Sequence, residues 1–201
     1  MPSIYSIKPA FQRLLRPLCA ALHGVGVTPN QITAATLLGA FGMGAWMYVG
    51  MPARLPFLML PVFLFVRMAA NAVDGMMARE YAMCSPTGAV LNEVGDVLAD
   101  AVLYLPFALL PCVRPVLPVA VVILAGATEV AGLAAVSGGA GRRFDGPMGK
   151  SDRAFAFGLL GLLYGVGIRN PLAWDLLLGL VLVLLLVTLY NRFRNGTKGQ
   201  S

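Results

Sequence analysis

Six apolar stretches, at residues 32–50, 55–73, 97–113, 115–137, 154–168 and 171–191, constrain this chain more than any other feature. A helix needs about 20 residues, within a range of about 17–25, to cross the hydrocarbon of a bilayer. Five of the six stretches reach that range. The fifth is short at 15 residues, and its helix is expected to extend toward Pro147. Only 12% of the 201 residues are charged, against about 25% in ordinary soluble domains. That leaves too little polar surface to cover a soluble core, so lipid is the better solvent. The 23 glycines and 14 prolines suit packed membrane helices and the short turns between them. The expected fold is all-α, a six-transmembrane-helix bundle.

The basic residues give the bundle a direction. Eleven Lys and Arg residues fall on the side that holds both termini and the turns around Arg79 and Lys150. Three fall on the other side, and Arg67 lies inside the second stretch. Positive charge marks the cytoplasmic face, so both termini and these two turns are expected in the cytoplasm. Ahead of the first stretch, residues 3–24 carry Ile4, Ile7, Phe11, Leu14, Leu15, Leu18 and Leu22 at helical spacing, with Lys8, Arg13 and Arg16 on other faces. This pattern predicts an amphipathic helix on the membrane surface, started or interrupted by Pro9 and Pro17. No cleavable signal peptide is expected. The net charge of +6 is scattered at the ends of apolar stretches, which suits anionic lipid rather than nucleic acid. Cys19, Cys84 and Cys112 are far apart, and His23 is the only histidine. A Cys/His metal centre and a serine triad both lack parts.

Acidic residues concentrate where they are costly. Five of the nine, Asp74, Glu80, Glu93, Asp96 and Asp100, fall between the end of the second stretch and the third. A carboxylate at the centre of a membrane helix costs about 2.5–3.5 kcal/mol, and like charges repel unless a cation sits among them. Asn71 and Asp74 are spaced i,i+3, and Asn92 and Asp96 are spaced i,i+4. Each pair therefore shares one helix face, and a tight hairpin would bring the two faces together. Carboxylates with amide neighbours suit a hard divalent ion. Gly75, Ala78, Gly88 and Ala89 thin the two helices beside these oxygens.

The stretch Asn71-x2-Asp74-Gly75-x2-Ala78-Arg79-x8-Gly88-x3-Asn92-x3-Asp96 resembles the signature of CDP-alcohol phosphotransferases, D-x2-D-G-x2-A-R-x8-G-x3-D-x3-D. Every spacing matches, as do the Gly, Ala and Arg positions and the second and fourth Asp. Thr28-Pro29-Asn30-Gln31-Ile32-Thr33 is similar to the family's usual opening of the first helix. The resemblance implies transfer of a phosphatidyl or similar phosphoalcohol group from a CDP-linked lipid donor, such as CDP-diacylglycerol, to the hydroxyl of a small polar alcohol, with release of CMP. It implies Mg²⁺ or Mn²⁺ against the pyrophosphate, Asp96 as a base for the acceptor hydroxyl and Arg79 neutralising a phosphate oxygen. It also implies a nucleotide wall of Gly75, Ala78, Gly88 and Asn30, a homodimer, and a place in the bacterial inner membrane with the active site facing the cytoplasm.

The chain departs from the family at Asn71 and Asn92, where Asp is usual. An amide oxygen still ligates Mg²⁺ but brings no charge. Asp74 and Asp96 alone balance one divalent ion. Alternatively, Glu93 and Asp100 restore the missing charge, since Glu93, Asp96 and Asp100 form one i,i+3,i+7 stripe. That compensated metal set is the favoured expectation. Between the fourth and fifth stretches, Gly149-Lys150-Ser151 suggests a P-loop, but Phe144 stands where that motif needs glycine. In the resembling family a Gly-Lys pair here lies beside the active site, so Lys150 and Arg153 are expected to meet a phosphate at a helix N-terminus. Glu129 lies deep in the fourth stretch. Either it lines the acceptor pocket or it pairs with Arg67.

The expected organisation is a juxtamembrane segment over residues 1–28, a six-helix catalytic domain over 29–194 and a cytoplasmic tail over 195–201. Two other functions compete: a family member that binds nucleotide or lipid without turnover, and a small cation-coupled transporter.

Overall fold

The structure is a computed structural model and describes residues 8–137 and 141–197. It is helical throughout: α1 (Lys8–Gly24), α2 (Pro29–Val49), α3 (Leu55–Glu80), α4 (Pro86–Tyr104), α5 (Val116–Ser137), α6 (Lys150–Gly165) and α7 (Pro171–Thr197), with a short 3₁₀ turn at Leu105–Leu109. Local chemistry sets the starts. Thr28 caps α2 by accepting from the Gln31 amide at 3.3 Å while the Gln31 side chain accepts from the Thr28 amide at 2.9 Å, and Pro29 opens the first turn, where no amide is required. Ser85 caps α4 through the Gly88 amide at 3.0 Å, again with a proline next. Asp152 reaches back to the Gly149 amide at 3.0 Å and fixes the start of α6.

α2 packs on α3 and α4, α3 on α6, α5 on α7, and α1 lies along α3. Glycines permit close approach where it matters. A Cβ on Gly161 of α6 would come within 2.8 Å of the Phe57 carbonyl of α3. The core lies among these helices and is aromatic at one end, where Tyr104 stacks on Phe157 with centroids 3.8 Å apart and Phe107 meets both Phe57 and Phe157. A second, smaller cluster ties α1 to α3 through Cys19, Val73, Met76 and Met77. His23 stacks on Tyr81, and Arg16 reaches Glu80 at 2.8 Å.

The helices differ from the expected stretches in instructive ways. Four are long and apolar enough to cross a membrane: α2, α3, α5 and α7. The expectation of six spans is not met on length and composition, because α4 carries Glu93, Asp96 and Asp100, and α6 has only 16 residues beginning with Lys150, Asp152 and Arg153. The third apolar stretch is not one helix. α4 ends at Tyr104, and Pro106 sits in the 3₁₀ turn that follows. The fifth starts at Lys150, short of Pro147, because Gly149 and Asp152 cap it there. α7 continues to Thr197, into the expected tail. α1 begins at Lys8, and Ile4 and Ile7 lie outside the described residues.

Candidate active site

A cavity of about 1180 Å³ opens among α2, α3, α4, α6 and the 141–149 segment. The short turn between α3 and α4 folds their polar faces together, as the spacing of the acidic residues requires. Asn71, Asp74, Gly75, Ala78 and Arg79 of α3 line the cavity with Gly88, Asn92 and Asp96 of α4 and Asn30 of α2. All eight signature positions therefore share one wall.

Gly88 is a point of close approach between α4 and a side chain of α2. A Cβ there would collide with the Asn30 amide oxygen and lie 2.9 Å from the Ser85 hydroxyl, so only glycine leaves Asn30 in place. Asp74 is buried, and its Oδ2 accepts from the Thr33 hydroxyl at 2.7 Å. It has no ion-pair partner among the described residues. Arg79 is exposed on the cavity wall and likewise makes no salt bridge among them.

Asp96 is in a different position. Its Oδ1 accepts from Arg67 Nη2 and Asn71 Nδ2, each at 3.0 Å, and its Oδ2 accepts from Lys150 Nζ at 2.5 Å. Behind it lies a buried ionic network. Arg67 Nη1 donates to Asp100 Oδ1 at 2.9 Å, and Arg153 Nε donates to Asp100 Oδ2 at 2.9 Å. Arg153, only 1% exposed, also reaches Glu129 Oε1 at 3.0 Å. Glu129 meets Arg192 Nη1 at 3.4 Å and Arg142 Nη2 at 3.5 Å. Glu93 pairs with Arg142 and lies 3.7 Å from Lys150 Nζ. Burial, and then the Arg192 guanidinium nearby, push the Arg142 pKa down. Each ion loses hydration on burial, so the network holds only because nearly every charge meets its opposite.

The expected metal set therefore divides. Asn71, Asp74, Asn92 and Asp96 face the cavity; Glu93 and Asp100 do not line it. Both oxygens of Asp100 are held by guanidinium groups, so the charge expected to restore the metal set goes to structural cations instead. Arg153 also stands behind the cavity, spent on Asp100 and Glu129 rather than facing a phosphate. Lys150 does face it. Glu129 lines the cavity and pairs with Arg153, Arg192 and Arg142, not with Arg67. Thr33 and Arg192 were not singled out in the sequence. Thr33 stands in the opening segment of α2, and Arg192 looks there like one more positive residue at a helix end.

Among the described residues no three His, Cys, Asp or Glu side chains converge as a ready-made metal centre. The donors on the wall are two carboxylates and two amides, all hard oxygen ligands suited to Mg²⁺ or Mn²⁺. The carboxylate of Asp74, met only by neutral donors, is the one free to receive an ion, so the donor set fits a divalent cation.

An all-helical fold whose cavity carries this signature along one wall is the arrangement expected of a membrane transferase acting on a phosphate-activated alcohol. The model of the CDP-alcohol phosphatidyltransferase family matches residues 26–188, and the chain belongs to that family. It is 43% identical over 194 residues to the inner membrane protein YnbA of Escherichia coli strain K12, covering 96% of each. It is 35% identical over 99 residues to a phosphatidylinositol phosphate synthase of Streptomyces avermitilis, covering 49% of this chain and 39% of that one. Its fold matches that of the phosphatidylinositol phosphate synthase of Mycobacterium tuberculosis solved with CDP-DAG bound, with a TM-score of 0.75, 17% identity and coverage of 92% and 94%. A second structure of that enzyme, with manganese and citrate, matches with a TM-score of 0.73. The family's members are membrane transferases of phospholipid biosynthesis.

Proposed function

We propose that the chain transfers a phosphatidyl group from a CDP-linked lipid, of the CDP-diacylglycerol type, to the hydroxyl of a small polar alcohol, releasing CMP, at the cytoplasmic face of a bacterial inner membrane. The observation that carries this reading is the cavity itself. Its polar end holds the signature residues, and the same space continues along α3 and α6 past Leu64, Phe65, Phe155, Leu159 and Leu162. Phe65 and Phe155 are exposed, as suits a surface that receives acyl chains. One cavity thus accommodates a headgroup at one end and a lipid at the other, and its volume exceeds the roughly 300–1,000 Å³ of a typical small-molecule pocket.

Gly75, Ala78 and Gly88 leave room for the nucleotide, with Asn30 held between Gly88 and Ser85. Arg79, which makes no salt bridge among the described residues, neutralises a pyrophosphate oxygen. A divalent ion on Asp74, with the amide oxygens of Asn71 and Asn92 beside it, would supply charge neutralisation on the pyrophosphate. The acceptor oxygen forms a bond to the lipid-side phosphorus, and the bond from that phosphorus to the bridging oxygen breaks. CMP leaves with the electron pair, and the hydroxyl proton passes to a carboxylate. Asp96 is the candidate base, its carboxylate paired with Arg67 and Lys150. α1, laid along α3 with Leu14 and Leu18 exposed, rests on the membrane surface beside the site.

Purified protein given CDP-diacylglycerol, Mg²⁺ and a panel of polyols is expected to release CMP, with EDTA stopping the reaction. CDP binding without CMP release would make the chain a binding member of the family. Cation-coupled uptake into liposomes would make it a transporter.

A further inference from the structure

We infer that Lys150 serves as a built-in cation in place of a second divalent ion, so that the site takes one ion, on the Asp74 side. This rests on the function proposed above. The two family positions occupied by Asn71 and Asn92 remove two negative charges from the wall. The remaining carboxylates are distributed unequally. Asp96, 7% exposed, has every oxygen engaged: Lys150 Nζ at 2.5 Å on one, and Arg67 and Asn71 at 3.0 Å on the other. Among the described residues Asp74 is met by neutral donors, the Thr33 hydroxyl at 2.7 Å foremost, and by no ion pair.

Lys150 is placed for this role by the fold. It is the first residue of α6, whose start is fixed by the bond from the Gly149 amide to Asp152. From there its ammonium reaches both Asp96 and, at 3.7 Å, Glu93. The count of charges agrees. The cations Arg67, Arg142, Lys150, Arg153 and Arg192 pair with the carboxylates Glu93, Asp96, Asp100 and Glu129, five against four, and Asp74, which pairs with none of them, brings the carboxylates to five. With Asp74 counted, and apart from the exposed Arg79, this set of charges is neutral before any ion arrives. One divalent ion entering with a pyrophosphate diester keeps it neutral, whereas a second leaves two uncompensated positive charges in a poorly hydrated site. Asp100 and Glu93 cannot offset a second ion, because guanidinium and ammonium groups already hold them.

The test is a Mn²⁺ titration of the detergent-purified full chain with saturating CDP-diacylglycerol, read by electron paramagnetic resonance of free Mn²⁺ against a protein-free blank holding the same lipid. The expected result is one ion per chain. Lys150→Gln is expected to bind Mn²⁺ about tenfold more tightly, since a like charge near the ion is removed, while Lys150→Arg keeps the wild-type value. Two ions per wild-type chain, or unchanged or weaker binding in Lys150→Gln, would overturn the inference. Equilibrium dialysis of labelled CDP separates the premises: if CDP fails to bind with or without Mn²⁺, the proposed function falls, and the inference with it.

Discussion

Two aspartates with the same chemistry have opposite roles here, and single substitutions separate them. Asp100 joins Arg67 and Arg153 in the interior. Removing it leaves two buried guanidinium groups short of a partner, so Asp100→Ala is expected to cost about 3–5 kcal/mol of stability, measured as a fall in the thermal unfolding midpoint in detergent. Asp74 is met by neutral donors alone. Asp74→Asn is expected to leave that midpoint within a few degrees of wild type while lowering CMP release by about 100-fold or more. Equal stability losses for both would contradict the division. The sequence placed Glu93, Asp96 and Asp100 on one stripe of one helix, which is correct as a matter of periodicity. It could not show which cations they meet. Arg67 lies 33 positions from Asp100 and Arg153 lies 53 away, and neither separation carries a local signal.

Among elements, the site depends on how closely α2, α4 and the α5–α6 connection approach. Gly88→Ala is expected to displace Asn30 and Ser85, whose side-chain oxygens a new Cβ would strike. Overpacking of this kind costs about 1–3 kcal/mol, and here the loss should appear as weaker CDP binding by dialysis. Gly146 has φ of +125° and sits against Thr188 of α7. Gly146→Ala strains the backbone by about 1–3 kcal/mol and moves the segment that leads to Lys150, so both stability and activity should fall, by thermal unfolding and CMP release. The start of α2 was legible because Thr28-Pro29 is capping chemistry written in adjacent residues, whereas the Ser85-Pro86 start of α4 was not singled out. The extents of α4 and α6 were not legible. Hydropathy marks the apolar portion of a helix, while α4 begins eleven residues before its expected stretch and carries Glu93 and Asp96 on the added turns.

At the scale of the whole molecule, the signature, the Lys150 segment and α1 all lie at one end of the bundle, as the distribution of basic residues suggested. Cys84 gives a direct probe of which side that end faces. It is exposed in the α3–α4 turn, whereas Cys19 and Cys112 are buried. A membrane-impermeant maleimide should label Cys84 in inside-out vesicles and leave right-side-out vesicles unlabelled; the reverse pattern would invert the topology. The cavity between α2, α3 and α4 is proposed to hold a divalent ion against the pyrophosphate of a CDP-linked lipid. Crystals grown with Mn²⁺ and CDP-diacylglycerol test it by anomalous diffraction. The expected result is a manganese peak coordinated by Asp74, with the cytidine nucleotide packed on Gly75 and Gly88. A nucleotide bound elsewhere, or manganese absent from the Asp74 carboxylate while the lipid is present, would contradict it.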